Sequence, residues 1–149
     1  MSFLQSATLM STYFHNMDVK GRMSFPNKLR ELVGEKFIVT KGLDKCLFVY
    51  SLEAWDEFVD NLSDVPISKG GKELTRFFIS SAIEVEADKQ GRILISQALR
   101  EYAGLEKDVV VTGSLKRCEI WDEAIWREYN DELVGDKINS AVENLDFAF

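Results

Sequence analysis

The chain says the same thing twice. Asp18-Val19-Lys20-Gly21-Arg22-Met23-Ser24-Phe25-Pro26-Asn27-Lys28-Leu29-Arg30 returns seventy residues later as Asp88-Lys89-Gln90-Gly91-Arg92-Ile93-Leu94-Ile95-Ser96-Gln97-Ala98-Leu99-Arg100. The Asp, Gly, Arg, Leu and closing Arg fall in register without a gap. An internal repeat constrains a fold more than any local signal, because each unit must bury its apolar face against the next. Each copy has one grammar: an acidic turn with a glycine, an arginine, a short apolar strand, then a short helix ending on arginine. The match extends upstream, where Tyr13–Asp18 faces Ile83–Asp88, and downstream, where Gly34 faces Gly104. Cys46 to Tyr50 then corresponds to Cys118 to Trp121, and each copy ends near a tryptophan, Trp55 or Trp126.

The pattern predicts strands over 12–17 and 82–87, tight turns at Lys20-Gly21 and Gln90-Gly91, and return strands over 23–25 and 93–95. Glycine supplies the positive φ that such a hairpin turn needs. Pro26 suits the first position of one short helix, and Ser96 the N-cap of its counterpart. Strands over 36–41 and 46–50 follow, mirrored by 108–112 and 117–121. Ser51 caps a helix with the stripe Leu52, Trp55, Phe58, Val59 and Leu62. A last long helix presents Ile125, Trp126, Tyr129 and Leu133 until Gly135 breaks it. This divides the chain into a first repeat over 1–65, a linker and connecting helix over 66–80, a second repeat over 81–134, and an acidic tail over 135–149. Half of this chain is near the lower limit for an independent core. Two copies interleaved around a pseudo-twofold axis remove that difficulty.

The net charge of −7 counts against a nucleic-acid partner only until it is located. From Glu119 to Phe149 nine acids stand against Arg127 and Lys137, so the deficit of seven lies there and the rest is neutral. Attraction depends on the local patch, since charges farther than roughly 8 Å are screened at physiological salt. Asp18 to Arg30 carries Lys20, Arg22, Lys28 and Arg30 against one acid. No apolar run approaches a membrane span, and the first ten residues lack a basic region before their apolar ones, so a secretory signal is not expected. Two cysteines at equivalent strand positions read as small buried hydrophobes in a reducing compartment, with a disulfide as the alternative. One histidine and two distant cysteines offer no metal-ligand spacing. No nucleophile–base pair or phosphate loop points to an enzyme.

The duplicated Asp-x-x-Gly-Arg signature, with its apolar return strand and Leu-Arg helix, resembles the MraZ family of bacterial transcriptional regulators. The resemblance covers the chain from about Tyr13 to the helix at Trp126. The flanks Gly42 to Tyr50, Arg100 to Leu105 and Glu119 to Asp122 resemble the family too. It implies an α+β fold, a pseudo-twofold double-split (swapped-hairpin) β-barrel of AbrB type decorated with short helices. It also implies ring-shaped homo-oligomers, cytoplasmic and nucleoid-associated, that bind short promoter repeats in double-stranded DNA and repress the protein's own division and cell-wall operon. No cofactor, small-molecule substrate or membrane is expected. This chain departs from the family in an N-terminal extension, in Ser11 where a glycine is common, and in Ser96 in place of a proline.

Arg22 and Arg92 follow the glycine turns, where a tip can enter a groove. A guanidinium donates two parallel hydrogen bonds to guanine, about 1–3 kcal/mol of discrimination per pair. The alternative is that each arginine pairs with Asp18 or Asp88 and braces its turn, and the two roles can coexist. Asp18, Gly21, Asp88 and Gly91 are read as turn-orienting. Lys20, Lys28 and Lys89 suit phosphate, as point charges that position without specifying. Arg30 and Arg100 end short helices and divide between dipole support and contact with the DNA backbone. His15 reads as structural or interfacial. Tryptophans 55, 121 and 126 read as core or interface. The competing function is a protein-interaction module of the same fold, antitoxin-like, holding a partner through its acidic tail and apolar stripe.

Overall fold

The computed structural model describes residues 8–148, so most of the N-terminal extension lies outside the described residues. Eight strands form: β1 (Thr12–Asn16), β2 (Arg22–Ser24), β3 (Lys36–Lys41), β4 (Leu47–Ser51), β5 (Ile83–Glu86), β6 (Arg92–Leu94), β7 (Asp108–Ser114) and β8 (Arg117–Asp122). The helices are α1 (Asn27–Val33), α2 (Leu52–Ser63), α3 (Gly71–Leu74), α4 (Gln97–Ala103), α5 (Glu123–Glu132) and α6 (Ile138–Glu143). A π-helical segment, Thr75–Ile79, continues α3. The protein is α+β, an antiparallel sheet with short helices.

Six strands run in the order β1-β7-β8-β4-β3-β5, and β2 pairs with β6 in a separate ribbon. Exchanging the two repeats leaves this order unchanged, which places a pseudo-twofold axis between β4 and β8. The first strand of each repeat is given to the other. β1 pairs with β7, from Thr12 opposite Thr112 to Asn16 opposite Asp108. β5 pairs with β3, from Lys36 opposite Glu86 to Val39 opposite Ile83. The expected barrel is not closed by hydrogen bonds, since β1 and β5 remain edges of the sheet among the described residues.

The expected local hairpins are also shorter than a ladder. One bridge, Met17 with Met23, joins the first strand to its return strand. The chain then crosses the axis, and the return strands pair with each other: Arg22 with Leu94, Met23 with Ile93, Ser24 with Arg92. A three-residue strand gains a full antiparallel partner this way, and its apolar middle residue turns inward. Met23 and Ile93 are both 1% exposed.

One core serves both repeats. Met23, Phe25, Leu29, Phe37, Val39, Leu47 and Val49 join Ile93, Ile95, Leu99, Val109, Val111, Cys118 and Ile120 in a single cluster. The other sheet face holds Cys46, Phe48, Tyr50, Leu62, Phe78, Val110 and Trp121 under α2 and α5. The two cysteines therefore occupy opposite faces and are free, as small buried hydrophobes. Burial pushes the Cys118 thiol up to about 12 and the Cys46 thiol up further.

Local chemistry sets the helix ends. The Ser51 and Ser96 side chains accept from the amides of Ala54 at 3.1 Å and Leu99 at 3.4 Å. Pro26 stands one residue earlier than expected, at the N-cap. Its carbonyl accepts from the Arg30 amide at 2.9 Å, and lacking an N–H it leaves no donor unsatisfied there. Gly135, at φ 128°, breaks the last long helix as expected, and α6 follows it.

Candidate nucleic-acid interface

Each acidic turn is organised by one carboxylate. Asp18 Oδ1 accepts from the amides of Lys20 at 2.9 Å and Arg22 at 3.0 Å, while Oδ2 accepts from Arg22 Nε at 3.0 Å. Asp88 repeats the pattern with Gln90 at 2.8 Å, Arg92 at 2.9 Å and Arg92 Nε at 3.2 Å. The amides of Gly21 and Gly91 close the turns onto the Asp carbonyls at 3.0 and 2.9 Å. Both glycines have the positive φ that the turn requires, 89° and 77°. The hydrogen bond from the Arg22 amide, then those from the Lys20 amide and the Arg22 side chain, hold the Asp18 carboxyl below the usual range against desolvation. Asp88 is lowered in the same way by the Arg92 amide first.

Each carboxylate thus braces its turn and aims its arginine at once. The ion pairs use Nε, so the two Nη groups of each guanidinium are left outside them. Arg22 and Arg92 side chains are 41% and 38% exposed. Ribbon register puts both arginines on one face, because residues opposite each other in antiparallel strands, and residues two apart, point the same way. Ser24 and Leu94 share that face, exposed, while Met23 and Ile93 point into the core. From strand spacings the two arginine Cα atoms lie about 8 Å apart. Val19, Lys20 and Lys89 stand exposed at the turn tips.

A family model described as "MraZ protein, putative antitoxin-like" matches this chain twice, over residues 8–78 and 77–146. The chain belongs to the MraZ family. Curated relatives named "Transcriptional regulator MraZ" agree with the match. The protein of Acetivibrio thermocellus is 54% identical over 121 residues, which cover 80% of this chain and 85% of the relative. That of Caldicellulosiruptor saccharolyticus is 50% identical over 140 residues, 92% of this chain and 98% of the relative.

The other residues singled out in this MraZ-family sequence lie away from the turn tips. Lys28 is exposed on α1. Arg30 and Arg100 are half-buried, and each side chain lies against the glycine of the other repeat's turn. His15 is half-buried on β1 opposite Val109, and burial lowers its pKa. Trp121 is buried, and Trp55 and Trp126 pack in aromatic contacts.

Ser24 and Leu94 also belong to the exposed face, beyond the residues the motif picks out. Their alternation with Met23 and Ile93 was the available signal, but three-residue strands are too short for period-two patterning to be decisive. No helix among the described residues is long and apolar enough to cross a membrane.

Proposed function

We propose that this MraZ-family chain is a sequence-specific, double-stranded-DNA-binding transcriptional regulator that reads short promoter repeats through its two Asp-x-x-Gly-Arg turns. The observation that carries the reading is the pair of carboxylate-held arginines on one exposed ribbon face. Two strands fit a major groove about 12 Å wide, and both arginines project from one face of the ribbon, from Cα atoms about 8 Å apart. Lys20 and Lys89, exposed at the turn tips, serve as phosphate contacts, and Lys28 is a further exposed cation on α1. Arg30 and Arg100 are basic groups half-buried against the turn glycines. The relatives' printed name, transcriptional regulator, supports this reading.

The finer parts of the proposal follow from the family resemblance. The strand exchange is that of an AbrB-type double-split barrel, built from repeats at 1–65 and 81–134 joined by 66–80. The protein works in the cytoplasm on the nucleoid and represses its own division and cell-wall operon. About four contacts per chain give a log–log salt slope of roughly 3–4, thin for specific binding by one protomer. A ring engaging several repeats raises apparent affinity by roughly 10²–10⁴ through effective concentration.

Fluorescence anisotropy on duplex DNA from directly upstream of the gene, against a scrambled duplex, tests the function. Wild type binds the upstream duplex tightly, and Arg22→Ala/Arg92→Ala does not while keeping its fold. Equal binding to both duplexes, or to neither, ends the proposal. One observation favours a second reading, an antitoxin-like interaction module. Val134, Ile138, Val142 and Leu145 are exposed along the acidic C-terminal segment. A pull-down in which the arginines tolerate replacement and the tail does not would support it.

A further inference from the structure

Two arginines outside the turns stand where each turn rests. Arg100 belongs to the second repeat yet packs beneath the first turn. A Cβ built on Gly21 would lie 2.6 Å from Arg100 Nε and 2.8 Å from its Cζ. That Nε donates to the Ile95 carbonyl at 3.0 Å, and the Ile95 amide donates to the Gly21 carbonyl at 2.9 Å. Arg100, Ile95 and Gly21 therefore form one chain of contacts across the repeat boundary.

The mirror arrangement holds at the other turn. Arg30, from the first repeat, sets its Nη1 against the Gly91 position. The Phe25 amide donates to the Gly91 carbonyl at 3.0 Å. Both glycines are buried, so each turn sits on a floor supplied by the opposite repeat.

We propose that Arg100 is a positioning residue for the Asp18–Arg22 turn and Arg30 for the Asp88–Arg92 turn. The inference rests on the DNA-reading function proposed above, and assigns to these two arginines a role in aiming rather than touching. A reading side chain must be held within about 0.5 Å of its productive geometry by packing and hydrogen bonds around it. Each turn is closed within its own repeat by its carboxylate and by backbone hydrogen bonds, from the Asp18 amide to the Arg22 carbonyl at 2.9 Å and from the Asp88 amide to the Arg92 carbonyl at 2.8 Å. Its underside rests on the other repeat's floor. Neither turn is preorganised until both repeats are in place, and each is braced by its own arginine from the other repeat.

The floors are unequal. Arg100 is fixed by a backbone hydrogen bond. Arg30 Nη1 is buried with no hydrogen-bond partner, and its Nε stands 3.8 Å from Glu35. The first turn is accordingly the firmer, and loss of Arg100 has the larger effect.

The test has two arms on the full-length protein. Without DNA, amide hydrogen exchange is followed by mass spectrometry in wild type, Arg100→Ala and Arg30→Ala. Arg100→Ala speeds exchange several-fold over 18–22 and leaves 88–92 unchanged, and Arg30→Ala does the reverse. With the upstream duplex, Arg100→Ala weakens binding about fivefold, the worth of one hydrogen bond. That loss disappears when Arg22 is already Ala and persists when Arg92 is Ala. Arg100→Lys keeps the charge without the Nε geometry, gives the same pattern, and stands in if the alanine variant does not fold.

Faster exchange in 88–92, or in both turns equally, after loss of Arg100 overturns the inference. So does a binding loss that persists in both backgrounds with the salt slope lowered by about one, the mark of a direct phosphate contact. If wild type binds no duplex, the DNA-reading function fails while the exchange arm still decides the bracing.

Discussion

The Asp18–Arg22 and Asp88–Arg92 turns carry the same set of hydrogen bonds to within 0.2 Å, yet they do not rest on the same support. Beneath the first lies Arg100, hydrogen-bonded to Ile95; beneath the second lies Arg30, with a buried Nη1 lacking a partner. The tips differ as well, Val19-Lys20 against Lys89-Gln90, which puts one lysine on each turn at different positions. The two repeats share the turn and differ in what lies beneath it. A local motif of five residues is copied whole, whereas a floor built by the other repeat must be maintained by two separate stretches of chain.

The comparison breaks most completely in the core. Phe25 and Ile95 are equivalent residues directly after the two return strands, 2% and 0% exposed. Phe25→Ala, which empties the space beside Phe37 at 4.8 Å, costs about 3–5 kcal/mol, and Ile95→Val about 1 kcal/mol. Because one core is shared, chemical denaturation followed by tryptophan fluorescence and by circular dichroism gives a single coincident transition in both variants. Two separate transitions would mean that the repeats fold as independent units.

Next come the turn glycines. An alanine at position 21 adopts a left-handed φ and meets the Ile95 carbonyl at 2.8 Å as well as Arg100, which costs about 2–3 kcal/mol. At position 91 the obstacle is the far end of the Arg30 side chain, which moves more readily than a backbone. Gly91→Ala therefore lowers the urea midpoint less than Gly21→Ala. The opposite order would refute the unequal floors.

A smaller effect is confined to acid. Both turn carboxylates titrate below their ordinary range near ~4 when folded, so the unfolded chain takes up protons first as pH falls. Their contribution is complete above that range and is lost as pH falls through the lowered folded values. Asp18→Asn and Asp88→Asn each flatten the acid limb of the stability profile below about pH 4. A limb unchanged in both variants would show that the turns are held without their carboxylates.

The smallest change is expected in the tail. Ile138 and Val142 are 43% and 37% exposed, and Ile138→Ser or Val142→Ser shifts stability by less than about 0.5 kcal/mol. A larger loss, dependent on protein concentration, would place this stripe in contact between copies.

Much of the fold was legible because its signals are local. The Ser51 cap, the Gly135 break and the glycine turns each depend on a few neighbouring residues, and the strands after Gly34 and Gly104 appear within a residue or two of expectation. The return strands were legible as strands but not as partners. Met23-Ser24-Phe25 holds no information about whether its ladder is its own first strand or Ile93-Leu94-Ile95. Arg30 and Arg100 were legible as cations ending helices. That each lies beneath the other repeat's glycine depends on a contact spanning some seventy residues, which no helix rule contains.

By itself the sequence determined that there are two copies of one unit, what each turn is made of, and that Asp18 and Asp88 can hold Arg22 and Arg92 four residues on. Those relations lie within reach of a few backbone bonds, so chain connectivity enforces them. Only the tertiary structure decided that first strands and return strands are exchanged, that both arginines share one face, and which arginine supports which turn. Partner choice between strands is settled by burial of a shared core, a property of the assembled whole, because neither half has enough apolar surface to settle it alone.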